Sequence, residues 1–460
     1  MKTSRRSWPW VLSFLGVTAI GLLWRGQELD DRKAALLAEA AEAEREAMEA
    51  ARGWSAPVSA APCRFSLAPQ DVEGGSAGCF DLAIPAPGEG GSARAAVHGV
   101  ELDGDRDGVP VFVLNGGPGW GEAVDLSSRG PATRRLRFGD RPVVHLGPRS
   151  AEDVVAAAEG LGHETFFVAA GGYASRLAVE VWRRHGDRLA GVFLESVVPP
   201  DLAPRQLVPT GVEAAVTELF GRCRADPRCP VSDPDAALER AVRRLAEAPL
   251  DTRFGSVDAA GLGGALMSAL DQQDLLGFVP RGLDAIAEGR TSTAARFLSA
   301  ALRRRGAPGA QPRAVPCPRF ESPLDRADFA RRWGRLRPSL QVALRPLKEQ
   351  LTRCGPVASG APRAPPPPEA LPAVPVLVLA PTLDGRMPPE GADRLRAWAG
   401  LRAERVLRLP GRTHRPALGG PHAGAFVDAC AARLLRRFLE DPGPLPGAPE
   451  CVQAPPIVFR

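Results

Sequence analysis

Residues 166–180 read F-F-V-A-A-G-G-Y-A-S-R-L-A-V-E, an apolar run that turns on two glycines into a helical pattern. Strand, sharp turn and helix in that order have the form of a nucleophile elbow, in which the turn lifts one side chain clear of a sheet to attack a carbonyl carbon. The position that would carry the attacking serine holds Gly172. Without an oxygen on that residue, acyl transfer by the usual covalent route has no nucleophile. Such a turn strains ordinary residues and leaves glycine unstrained, so Gly172 is what stability alone would select there. Two serines offer themselves as substitutes. Ser76, in G-G-S-A-G, is a formal Gly-x-Ser-x-Gly match, but it lies between Cys63 and Cys79 with no strand-turn-helix context and reads as a loop residue. Ser175 lies three residues beyond Gly172 in the first helical turn. There a polar residue near a helix N-terminus has an ordinary structural role, and its side chain is expected to miss the site.

The elements that must position this turn follow from periodicity. Between residues 93 and 114 the pattern predicts two strands about an Asp/Gly-rich turn, the second, V-P-V-F-V-L, running into N-G-G-P-G-W-G. R-P-V-V-H-L, E-T-F-F-V-A-A and L-A-G-V-F-L-E-S then read as strands, separated by the helical patterns A-E-D-V-V-A-A-A-E-G-L-G and S-R-L-A-V-E-V-W-R-R-H. Apolar runs alternating with amphipathic helices predict an α/β fold, a doubly wound and mostly parallel sheet. From residue 199 to 368 the rhythm changes to helices with Pro- and Arg-rich joints, which predicts a helical cap inserted between core strands. P-V-L-V-L-A-P-T-L-D and R-V-L-R-L-P resume the sheet, and a last helix is expected near residues 423–439. The expected organisation is a signal anchor or signal peptide over 1–27, a charged helical stalk over 28–58, and core in 59–198 and 369–460 around the 199–368 cap.

A chain of 460 residues has room for one large domain with such an insertion. Its net charge of +5 is spread as arginine along the whole length, with no basic block interleaved with aromatics, which argues against a nucleic-acid partner. Lys2, Arg5 and Arg6 precede an uncharged apolar stretch, residues 8–24, bounded by tryptophans. That is the pattern of an export signal or membrane anchor, and no small-x-small cleavage site follows at once. Positive charge on its N-terminal side would place the rest of the chain outside the cytoplasm. All eight cysteines, Cys63, Cys79, Cys223, Cys229, Cys317, Cys354, Cys430 and Cys451, come after this stretch. They form no Cys-x-x-Cys pair and have no histidine at ligand spacing, so disulfides fit better than a metal, and no cofactor is expected.

Several ordered motifs together resemble the α/β-hydrolase family of prolyl and tripeptidyl aminopeptidases, in particular its secreted tripeptidyl-aminopeptidase-like branch. They are N-G-G-P-G at 115–119, the elbow region through R-L-A-V-E and H-G-D-R-L-A-G-V-F-L-E-S-V-V-P-P-D, F-G-R-C-R-A-D-P-R-C, P-V-L-V-L-A-P-T-L-D-G-R-M-P-P, and G-R-T-H. The similarity spans about residues 60–458. The resemblance implies a triad in the order nucleophile, acid, histidine, with Asp384 as the acid and His414 as the base. It implies an oxyanion pocket built from the backbone N–H groups of Gly116, Gly117 and Tyr173. It also implies bridges between Cys63 and Cys79, Cys223 and Cys229, Cys317 and Cys354, and Cys430 and Cys451.

The departures gather at the active centre. Asn115 stands where the family has histidine, Gly172 where it has serine, and of the family's Asp-Gln-Arg-Gly turn only Arg149 remains, in G-P-R-S at 147–150. The expectation is therefore an extracytoplasmic, membrane-anchored homologue, catalytically impaired, that uses the old cleft to bind a peptide or other small ligand. The alternative is a hydrolase or aminopeptidase working through Ser175 or through a water activated by Asp384 and His414. A third reading, a structural envelope protein assembled through its stalk, is weakened by alanine at most seam positions of that segment.

Overall fold

The computed structural model describes residues 55–63, 77–85, 94–102, 108–114, 131–147, 150–252, 255–302, 324–353, 371–419, 427–443, 451 and 453–459, with Glu39 and Glu42. The apolar stretch at 8–24, nearly all of the stalk, the N-G-G-P-G loop with Gly116 and Gly117, Ser76, Arg149, Cys317 and Cys354 lie outside these residues. Among the described residues, no helix is long and apolar enough to cross a membrane.

Among the described residues nine strands form one sheet: β1 (Val58–Ala60), β2 (Ala77–Pro85), β3 (Arg94–Leu102), β4 (Val111–Leu114), β5 (Val143–Leu146), β6 (Phe166–Gly171), β7 (Leu189–Glu195), β10 (Val376–Pro381) and β11 (Val406–Leu409). Their spatial order is β1-β2-β3-β5-β4-β6-β7-β10-β11. From β5 to β11 every pairing is parallel, whereas β1, β2 and β3 close one side antiparallel. The parallel strands are continuous apolar runs because both of their faces are covered. Every residue of β4, β6 and β10 is buried. On one face Val168, Val192 and Val378 pack against Val154, Trp182 and Leu395, from the helices Ala151–Gly160, Ala174–His185 and Pro389–Ala399. On the other, Phe167, Phe193 and Leu379 meet Phe138, of helix Pro131–Phe138, and Leu435 and Phe438, of helix Ala429–Glu440.

Between β7 and β10 the chain leaves the sheet and forms a body with its own apolar core. It is helical, as the helices with Pro- and Arg-rich joints predict, but it also carries a small antiparallel pair, β8 (Leu250–Thr252) with β9 (Gly255–Val257). Its longest helix, Pro204–Ala225, starts on a proline whose missing N–H is lost without penalty in the first turn. Ile457 and Phe459, expected to lie with the core, pack into this cap's cluster instead. The terminal helix begins at Ala429, later than expected, because Asp428 caps it by accepting the N–H of Ala431 at 2.8 Å.

Disulfides join Cys63 to Cys79, Cys223 to Cys229, and Cys430 to Cys451. These are three of the four pairings the resemblance implies, and the fourth, Cys317 with Cys354, lies outside the described residues.

Candidate active site

Gly172 follows directly on β6 and adopts φ +61°, a left-handed conformation that disfavours any residue with a Cβ. Its N–H donates to the carbonyl of Glu195 at 3.1 Å, and Tyr173, in helical conformation, leads into the helix at Ala174. The turn has the backbone form of an elbow and carries no side chain at residue 172. A Cβ built on Gly172 would stand 3.2 Å from His414 Nε2 and 3.3 Å from its Cε1. The imidazole therefore faces Gly172 and sits slightly closer than a side chain there would permit.

Asp384 lies just beyond β10 and is fully buried. Its Oδ1 accepts the N–H groups of Arg386 at 2.9 Å and Met387 at 2.8 Å, and its Oδ2 is 2.8 Å from His414 Nδ1. A carboxylate held by two backbone donors cannot swing away, so it fixes the ring with Nε2 turned to Gly172. Asp384 and His414 thus form a hydrogen-bonded pair whose free ring nitrogen is turned to Gly172, a residue with no side-chain oxygen.

Ser175 does not fill it. Its side chain is completely buried; Oγ donates to the Gly172 carbonyl at 2.6 Å and accepts the Val198 N–H at 2.9 Å. Both of its hydrogen-bonding roles are structural. Replacing it with alanine leaves the Val198 N–H buried without its partner, and Ser175→Ala is expected to lower stability by about 1–3 kcal/mol in a denaturant titration.

Sequence reasoning missed the group that moulds the histidine loop. Glu195, the last residue of β7, is fully buried and accepts the N–H groups of Ala417 at 2.8 Å and Leu418 at 3.0 Å. Beside it, Ser196 Oγ accepts the Arg415 N–H at 2.9 Å. Ser196 and Arg415, at φ 50° and 55°, are the only non-glycine residues with positive φ among those described. Strain of this kind persists only where the surroundings enforce it. The Arg415 guanidinium lies 3.9 Å from Glu195 Oε1, too far for a hydrogen bond, and among the described residues its buried Nε and Nη2 have no hydrogen-bond acceptor. Burial pushes the Glu195 carboxyl above its usual range, against the pull of Arg415 and of the two N–H groups, and it pulls the Arg415 guanidinium down. The legible signal was a carboxylate closing an otherwise apolar strand, F-L-E-S.

The cap reaches the acid as well. Arg386 grips Asp271, at the end of cap helix Ala259–Leu270, through Nη2 to Oδ2 at 2.7 Å and Nε to Oδ1 at 2.9 Å. Among the described residues, no group of acidic, histidine or cysteine side chains is arranged to hold a metal ion.

A parallel sheet in this strand order, an elbow after β6, a carboxylate after β10 and a histidine after β11 now stand together. The chain has the α/β-hydrolase fold. No protein-family model matches it, and no curated protein matches it. Among solved structures it is similar to a membrane phospholipase A described as a bacterial virulence factor, with 14% identity over 93% of this chain and 99% of that one, TM-score 0.32. It is similar at 14% identity to an esterase of Thermogutta terrifontis, over 79% of this chain and 98% of the other, TM-score 0.32. The proline iminopeptidase of Mycobacterium smegmatis gives the same values, 14% identity, 79% and 98% coverage, and TM-score 0.32.

Proposed function

We propose that this protein is an extracytoplasmic member of the α/β-hydrolase fold that binds a peptide or another small ligand in the former catalytic cleft and forms no acyl-enzyme. One observation carries this reading: His414, oriented by Asp384, addresses a residue that has no atom with which to attack. The strained backbone at Ser196 and Arg415 supports continued use of the site, because that strain is pointless in a fold retained only for its bulk. The disulfides support a location where thiols are oxidised, and the apolar segment at 8–24 would be the anchor. Nε2 of His414 serves as a hydrogen-bonding group for the ligand.

A second reading keeps the acid–base pair at work. The Asp384–His414 hydrogen bond is intact, and a neutral imidazole can take a proton from water as readily as from serine. Direct attack by such a water would hydrolyse an activated ester without a covalent intermediate. The two readings separate in one experiment, in which aminoacyl and tripeptidyl amides and short esters are offered to the native protein and to His414→Ala. The binding reading expects no turnover from either, and an affinity for tripeptidyl amide reduced by about three- to tenfold in His414→Ala, the worth of one hydrogen bond. Native turnover that disappears in His414→Ala would overturn it in favour of the water mechanism.

A further inference from the structure

The C-terminal residues connect three parts of the molecule. Cys451 is fixed to the core by its disulfide to Cys430, at the start of helix Ala429–Glu440. Arg412, buried two residues before His414, donates from Nη1 to the carbonyls of Cys451 at 2.9 Å and Gln453 at 3.2 Å. Its Nε stands 3.0 Å from Asp428 Oδ1, an ionic approach to the cap residue of the same helix. Beyond these contacts Ile457 and Phe459 enter the apolar core of the cap. Gly277 of the cap lies flat beneath them: a Cβ there would come within 2.0 Å of the Val458 carbonyl oxygen. The cap also holds the same loop directly, since Glu218 accepts the Gly411 N–H at 3.1 Å and Gln273 donates to the Gly411 carbonyl at 3.0 Å.

We infer that Cys451 and residues 453–459 form a strap that couples the position of the cap to the position of His414, with Arg412 as the positioning residue between them. Gly411 and Arg412 are gripped from the cap, from the strap and from the disulfide-anchored helix, and the imidazole follows two residues later. A cap that shifts on its core must therefore draw on the histidine loop, because these contacts are short and lie on one continuous stretch of chain. Ligand binding under the cap would then be read at Nε2 as a change in its distance from Gly172. The coupling does not depend on whether the site binds or hydrolyses its ligand.

Gly277→Ala tests this far from the site, since the added methyl has to lift the strap off the cap. Two readouts apply to the full chain: amide hydrogen exchange, and the downfield NMR resonance of the His414 Nδ1 proton shared with Asp384. The expected result is exchange accelerated about tenfold or more over residues 410–418, a shifted or broadened His414 resonance, and unchanged protection in β4 and β6. If residues 453–459 loosen while 410–418 and the resonance keep native values, there is no coupling. Uniform loosening that includes β4 and β6 would also overturn the proposal, by making the strap a general stabiliser. Should Gly277→Ala fail to fold, a chain ending at Cys451, which keeps the disulfide, is read against the same outcomes. Arg412→Lys, which retains the charge beside Asp428 but not the Nη1 that donates to both carbonyls, is expected to reproduce the change in the His414 resonance.

Discussion

Gly172→Ser is expected to raise ester hydrolysis far above that of the native protein. A serine here inherits a turn already at φ +61°, an imidazole whose Nε2 faces its Cβ, and an acid already bonded to the other ring nitrogen. Two things oppose it. The left-handed backbone costs any residue with a side chain about 1–2 kcal/mol. The imidazole must also retreat by a few tenths of an ångström, because a Cβ at 3.2 Å from Nε2 is tighter than ordinary contact. Neither is prohibitive, so turnover of short activated esters should rise by about 10²–10³-fold over the native protein, below the ~10⁶ that a tuned serine contributes in an enzyme built around it. Gly172→Ala carries the same backbone strain without the oxygen and should stay silent, as should Gly172→Ser combined with His414→Ala. A Gly172→Ser variant that folds as the native protein does and hydrolyses nothing would mean that the defect extends beyond the missing nucleophile.

The largest loss of stability is expected from Glu195→Ala. The carboxylate holds two loop N–H groups and is the nearest counter-charge to Arg415, all of them out of water. Its removal strands a buried guanidinium and two donors, and breaking one side of a buried pair costs about 3–5 kcal/mol. Glu195→Gln keeps an acceptor for at least one N–H and should lose less. Denaturant midpoints order the variants, and hydrogen exchange over residues 415–418 should show the loop opening first in Glu195→Ala. A cost below 1 kcal/mol for Glu195→Ala, on the scale of an ordinary surface substitution, would mean that the loop is held by Ser196 and the strap alone.

The sequence by itself determined the sheet and the absence of a side-chain oxygen at its sharpest turn. Apolar runs such as V-L-V-L-A-P and F-F-V-A-A have no polar face to turn to water, so they can only be covered strands, and the amphipathic stretches between them can only be their covers. A missing oxygen at residue 172 is likewise a matter of residue identity, legible once the strand-turn-helix pattern fixes where an attacking side chain belongs. The three-residue edge strand β1, the β2 strand beside it and the β8–β9 pair were not legible, because strands that lean on a neighbouring sheet or cap need little periodicity of their own. Nothing in the chain order required Glu195 to meet Arg415, or Ile457 and Phe459 to leave the core for the cap. Those contacts join residues far apart in sequence, and only packing decides which distant surfaces become neighbours. Ser175 shows the difference at a single residue. Its type and position left a structural role and a nucleophilic one open, and only the tertiary structure supplied its partners, the Gly172 carbonyl that accepts from it and the Val198 N–H that donates to it.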